Sequence, residues 1–139
     1  MEIFWNLNIG DRIVVPKSFI KWVQHHAIYL GWENGHHWII ENKEDIGVRL
    51  VTATDFFKDV KEITRIEKFK PSSNYSRRQL KDFAISKIGD EYSLLNYNCE
   101  SFANLIQYEK ATSSQVSTGI SLGVIGITAV LAGLLYREG

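Results

Sequence analysis

The sequence predicts an α+β domain followed by a C-terminal membrane span. Three observations carry that expectation. β-rich runs flank Asn34-Gly35, two helical apolar stripes follow Ser76, and no charged residue occurs between Ala111 and Tyr136. Strands first and helices afterwards is the order of an antiparallel sheet packed against helices.

Each element has its own local signal. Gly10 to Pro16 combines a turn glycine, the apolar run Ile13-Val14-Val15 and a stopping proline, which predicts a short strand. Residues 25–32 (HHAIYLGW) and 36–43 (HHWIIENK) predict two strands joined at Glu33-Asn34-Gly35. Asn-Gly between apolar runs is the strongest short hairpin signal, because both residues accept positive φ. After the charged turn KEDI, residues 47–53 predict a further strand. Residues 54–60 predict a short helix capped by Thr54. Residues 63–71 predict a strand, with Ile63, Arg65 and Glu67 alternating against Thr64, Ile66 and Lys68. Ser76 and Gln79 form a capping box ahead of the stripe Leu80, Phe83, Ala84 and Ile88, and Gly89 ends that helix. Beyond the loop 90–98, Cys99, Phe102, Ala103 and Ile106 fall at i, i+3, i+4 and i+7 on a second helix, with Asn98 as its N-cap.

The tail reads GISLGVIGITAVLAGLLY over residues 119–136. Eighteen residues make about 27 Å of helix, close to the hydrocarbon thickness of a bilayer. A soluble helix would lose about 1 kcal/mol at each of its interior glycines relative to alanine, whereas glycine is common in membrane spans. With no polar face available, burial as a soluble core helix fits poorly. The expected organisation is a domain over residues 1–110, a polar linker over 111–118 and a single-pass anchor over 119–136, with the domain on the cytoplasmic side. Gly119 and Gly123 give the span a small-residue face for homo-association. The N-terminus is acidic and too short an apolar run to serve as a signal peptide.

Composition excludes other classes. The chain has 139 residues, 16 basic and 16 acidic, so its formal charge is zero and nucleic acid has no electrostatic footprint to bind. One cysteine makes neither an internal disulfide nor a multi-cysteine zinc site. The four histidines fall between His25 and His37, but adjacent strand residues face opposite sides, so each pair offers one ligand per side. No metal site is expected from these histidines.

Cys99 sits at a helix N-terminus, where unpaired amides and the helix dipole favour a thiolate. A histidine strand facing that terminus is what a thiol nucleophile needs. A lone cysteine on an apolar helix face is equally how a small core residue reads, and local patterning does not separate the two. Trp22 and Trp32 are read as hairpin packing in preference to interfacial contacts.

GDRIVVP at Gly10, HHAIYLG at His25 and, far downstream, DEYSLLNYNCESFANLI around Cys99 resemble the lecithin:retinol acyltransferase-like family, as does the hydrophobic C-terminal segment. The family includes small tail-anchored phospholipase A/acyltransferases within the NlpC-type thiol hydrolase superfamily. The resemblance implies a circularly permuted NlpC-like papain-type fold. It also implies acyl transfer from phospholipid esters through a thioester, with the bilayer as partner and without cofactor or metal. Carried over by position, Cys99 is the nucleophile and His25 the general base. Relatives place a second histidine where this sequence has Glu41, and a carboxylate can orient an imidazole in the same way. His37, on the same strand face, and Asn42, on the other, compete for that third role. The alternatives to a lipid enzyme are a membrane-tethered thiol amidase or peptidase, and a non-catalytic membrane-bound binding protein.

Overall fold

The computed structural model describes residues 4, 6–17 and 20–109. The expected linker 111–118 and anchor 119–136 lie outside the described residues. Among the described residues, no helix is long and apolar enough to cross a membrane.

The strands are β1 (Arg12–Lys17), β2 (Ile20–Glu33), β3 (His36–Lys43), β4 (Gly47–Thr52) and β5 (Arg65–Glu67). The helices are α1 (Ala53–Phe56), α2 (Arg77–Ser86) and α3 (Cys99–Tyr108). The strands form one five-stranded antiparallel sheet in the order β4-β3-β2-β1-β5. This is the α+β class the sequence predicts. The hairpin also folds as its sequence requires: Asn34 and Gly35 take φ of 52° and 81°, the positive values of a tight primed turn.

Alternation along the strands divides the core between two faces. Ile28, Leu30, Ile40 and Val48 pack under α2 and α3 through Leu80, Ala84, Phe102, Ala103 and Ile106. The opposite face carries Ile13, Val15, Ala27, Tyr29 and Ile39, covered by α1 and the segment that follows it.

Several boundaries differ from the sequence-based expectation. The cap of α1 is Thr52, whose hydroxyl accepts the Asp55 amide at 3.2 Å, so α1 starts two residues earlier than a Thr54 cap would allow. The strand expected over 63–71 pairs with β1 only at Arg65, Ile66 and Glu67. Beyond Glu67, the buried Asp11 carboxylate accepts the Phe69 amide at 2.9 Å and draws Phe69 into the core, which takes the chain off the sheet. Helix α2 ends at Ser86 with Lys87 as its C-cap, ahead of Gly89 at φ +97°. Trp22 is exposed, whereas Trp32, although largely exposed, packs edge-on against His37 across the hairpin with ring centres 4.7 Å apart.

Gly47 has a further positional reason to be glycine. Its φ is +93°, and an added Cβ would run into the Asp90 carbonyl. The same carbonyl accepts the Val48 amide at 2.9 Å, which fastens the loop between α2 and α3 to the start of β4.

Candidate active site

The α3 N-terminus is built by reciprocal capping. Asn98 Oδ1 accepts the Ser101 amide at 2.9 Å, and Ser101 Oγ accepts the Asn98 amide at 2.7 Å. Cys99 is therefore the first helical residue, buried, with its sulfur at the positive end of the helix dipole.

β2 presents a gap to that sulfur. Tyr29 exchanges backbone hydrogen bonds with Gly10 and Asp11 at 2.8 and 2.9 Å on the β1 side. Antiparallel alternation then turns the backbone groups of Gln24 and His26 toward the β3 side. There the β2–β3 register ends at Ala27 opposite Glu41, while β3 stays paired with β4 as far as Lys43 opposite Gly47. Cys99 Sγ occupies the opening, 3.8 Å from the Gln24 carbonyl oxygen and hydrogen-bonded by the His26 amide.

His25 and Glu41 share a sheet face, because Glu41 lies opposite Ala27 and His25 is two residues from Ala27. His25 Nε2 is 2.6 Å from Glu41 Oε1. With Nε2 engaged, Nδ1 is the ring nitrogen left for the hydrogen bond between His25 and Cys99. Glu41 Oε2 accepts from Arg49 Nε at 2.7 Å, and Arg49 lies directly opposite Glu41 in β4. The result is a line of four groups, Cys99, His25, Glu41 and Arg49.

The electrostatics follow from this line. Burial alone would lower the His25 pKa, but the hydrogen bonds and charges of Cys99 and Glu41 overcome it and raise it to about 9. Burial likewise opposes ionisation of Cys99, yet His25, the His26 amide and Lys17 hold its pKa below the ordinary thiol value. Glu41 is depressed despite burial, by His25 and then by Arg49. Both shifts run toward a thiolate beside an imidazolium, with the carboxylate behind it.

The neighbouring histidine has the opposite character. Burial first, and then the Arg12 guanidinium, lower the His26 pKa to about 4. Arg12 Nη1 is 3.2 Å from His26 Nδ1, which puts the ring proton on Nε2. Arg12 also donates to Gln107 Oε1 at 3.0 Å and Asn104 Oδ1 at 2.7 Å, tying α3 to β1.

Of the three candidates for the third position, Glu41 is the one that meets His25. His37 stacks on Phe4 with ring centres 4.3 Å apart, and its Nδ1 is 2.7 Å from the Tyr29 hydroxyl, four residues up the strand from Glu41. Asn42 points to the other face and donates to the Tyr97 carbonyl at 2.8 Å, bracing the loop that delivers Cys99. Arg49 escaped the sequence reading, although a turn centred on Asp45 sets residue 41 opposite residue 49. Among the described residues no group of three or more His, Cys, Asp or Glu side chains is arranged to hold a metal ion.

No curated protein and no solved structure matches the chain. The family model for lecithin retinol acyltransferase matches residues 5–112. That span contains the hairpin bearing His25 and Glu41 together with the helix that begins at Cys99, and the chain belongs to the lecithin retinol acyltransferase family.

Proposed function

We propose that the protein is a cysteine-dependent phospholipase A/acyltransferase that acts on phospholipid acyl esters through a thioester. The observation that carries this reading is Cys99 at the α3 N-terminus, hydrogen-bonded to His25, whose other ring nitrogen is held by Glu41. The Cys99 thiolate attacks the ester carbonyl carbon, and the carbonyl electron pair moves to oxygen. The α3 N-terminus, beginning with the Cys99 amide, is positioned to stabilise that oxyanion. When the tetrahedral intermediate collapses, the His25 proton passes to the departing lysophospholipid oxygen, leaving an acyl thioester. His25, now neutral, takes a proton from water or an amine as that acceptor attacks the thioester, the C–S bond breaks, and the acyl product leaves with the Cys99 thiolate and the imidazolium restored. Glu41 keeps the ring oriented and balances its charge throughout.

Residues 119–136 anchor the enzyme by a single span, with the domain on the cytoplasmic side, which keeps an insoluble substrate within reach. The chain order, histidine strand before cysteine helix, supports a circularly permuted NlpC-like papain-type fold.

Intact-mass measurement after incubation with phosphatidylcholine tests the mechanism. The expected result is an acyl adduct on Cys99 that is absent from Cys99→Ala, with fatty-acid release reduced at least about a thousandfold in that variant. Undiminished release by Cys99→Ala would overturn the thioester.

A further inference from the structure

The turn that delivers Cys99 is rigid and carries two leucines at its tip. Ser93 and Tyr97 exchange backbone hydrogen bonds at 2.9 and 2.8 Å. Ser93 Oγ accepts the Asn96 amide at 3.2 Å, and Asn98 Nδ2 donates to the Leu94 carbonyl at 3.0 Å. These four bonds brace the turn while Leu94 and Leu95 are 65% and 62% exposed.

Other exposed apolar residues share this end of the sheet. Ile46, in the turn between β3 and β4, lies across a cavity of about 360 Å³ from Leu94, with Tyr92 at its wall. Tyr92 is itself electrostatically coupled to Cys99. Trp22 is 85% exposed and sits two residues before Gln24, whose carbonyl faces the Cys99 sulfur. An ordered turn holding leucines in water beside a buried thiol calls for an apolar partner.

We propose that Leu94 and Leu95, flanked by Ile46 and Trp22, enter the headgroup–acyl boundary of a phospholipid bilayer and set the Cys99 opening against the lipid surface. This rests on the phospholipid-ester reading above and names the surface from which the substrate is drawn. Tryptophan and leucine side chains are suited to that boundary. The charges nearby are of both signs, with Lys17 paired to Glu44 at 3.3 Å beside Asp45 and Glu91. Among the described residues these charges form no basic patch that would call for an anionic leaflet, so the fitting surface is zwitterionic. Chain length permits the arrangement. Helix α3 runs about 15 Å from Cys99 to Tyr108, and the ten residues before Gly119 reach about 33 Å when extended. One bilayer can therefore accept both the uncharged segment and the leucine turn.

Two measurements on the full chain in phosphatidylcholine vesicles test this. In the first, the double variant Leu94→Ser with Leu95→Ser is compared with the parent on vesicle phospholipid and on a water-soluble monomeric ester. The expected result is a loss of about tenfold or more on vesicles and a change under about twofold on the soluble ester. Equal losses on both substrates would overturn the proposal.

The second measurement does not depend on catalysis. In a Cys99→Ala background, an environment-sensitive dye is attached through Leu95→Cys or, as a control at the far end of α2, through Arg78→Cys. Nitroxide-labelled phospholipid is expected to quench the dye at position 95 and spare the one at 78. An unquenched dye at 95 overturns the docking surface, and self-quenching between dyes without nitroxide quenching assigns the turn to a second copy instead. Should the parent hydrolyse neither ester while position 95 is still quenched, the catalytic reading fails and the lipid contact stands.

Discussion

Arg49 Nε lies 2.7 Å from Glu41 Oε2, on the carboxylate whose other oxygen is 2.6 Å from His25 Nε2. A carboxylate gripped from behind has one oxygen left to orient, so Arg49 fixes the direction in which Glu41 meets the imidazole. Arg49 itself is partly exposed, and its contribution to global stability is small, under about 1 kcal/mol.

Arg49→Gln is therefore expected to lower kcat about threefold to tenfold with little change in thermal midpoint. Because Arg49 helps depress the Glu41 pKa, its loss raises that pKa, and the carboxylate protonates at higher pH. The acid limb of the pH–rate profile then moves upward, and Arg49→Lys restores part of the shift. A profile unmoved in Arg49→Gln would remove Arg49 from the site.

The paired thiolate and imidazolium make a second prediction. Cys99 is held below its ordinary value, so alkylation by iodoacetamide is expected to be fast well below the pH at which a free thiol ionises. The His25 pKa rises from 6.5 to about 9, so its contribution to stability is full below pH 6.5 and is lost as pH rises through 9. Activity falls over the same alkaline interval as the imidazolium proton is lost. An alkylation rate that follows an ordinary thiol titration would dissolve the ion pair.

Buried Arg12 is structural. It joins Gln107, Asn104 and His26 and lies 3.8 Å from Glu67. Arg12→Ala strands several buried polar groups at once and is expected to cost about 3–5 kcal/mol in urea unfolding. A cost below about 1 kcal/mol would mean that α3 is held by its apolar face alone.

Gly47→Ala combines positive-φ strain with a collision against the Asp90 carbonyl. The expected destabilisation is at least about 2 kcal/mol. Because that carbonyl anchors the loop leading to Asn98, Cys99 alkylation should slow as well. Unchanged alkylation with reduced stability would show that the loop is positioned by Asn42 and the helix cap without help from β4.

The parts legible in the sequence are those written in neighbouring residues. Asn34-Gly35 selects its turn from two backbone dihedrals. Ser76 with Gln79, and Asn98 with the stripe behind Cys99, mark helix starts within one turn of chain. Strand parity placed Glu41 and His37 on one face and Asn42 on the other, and the β3 contacts agree with it.

Local patterning missed where a distant group takes over. Residues 63–71 alternate as a strand should, yet Asp11 takes the Phe69 amide and ends β5 at Glu67. Thr54 is as good a capping residue as Thr52, and the end of β4 decides between them.

The sequence by itself determined the sheet-forming runs, the helix caps and the turn of the histidine-rich hairpin, because these depend on contacts within a few residues. Only the tertiary structure decided that Glu41 is the side chain that reaches His25, that Arg49 stands behind it, and that β3 leaves β2 where Cys99 enters. Those choices depend on the register of three strands and the approach of a helix more than seventy residues from His25 in the chain. They follow from packing both faces of the sheet at once, which no local window of residues contains.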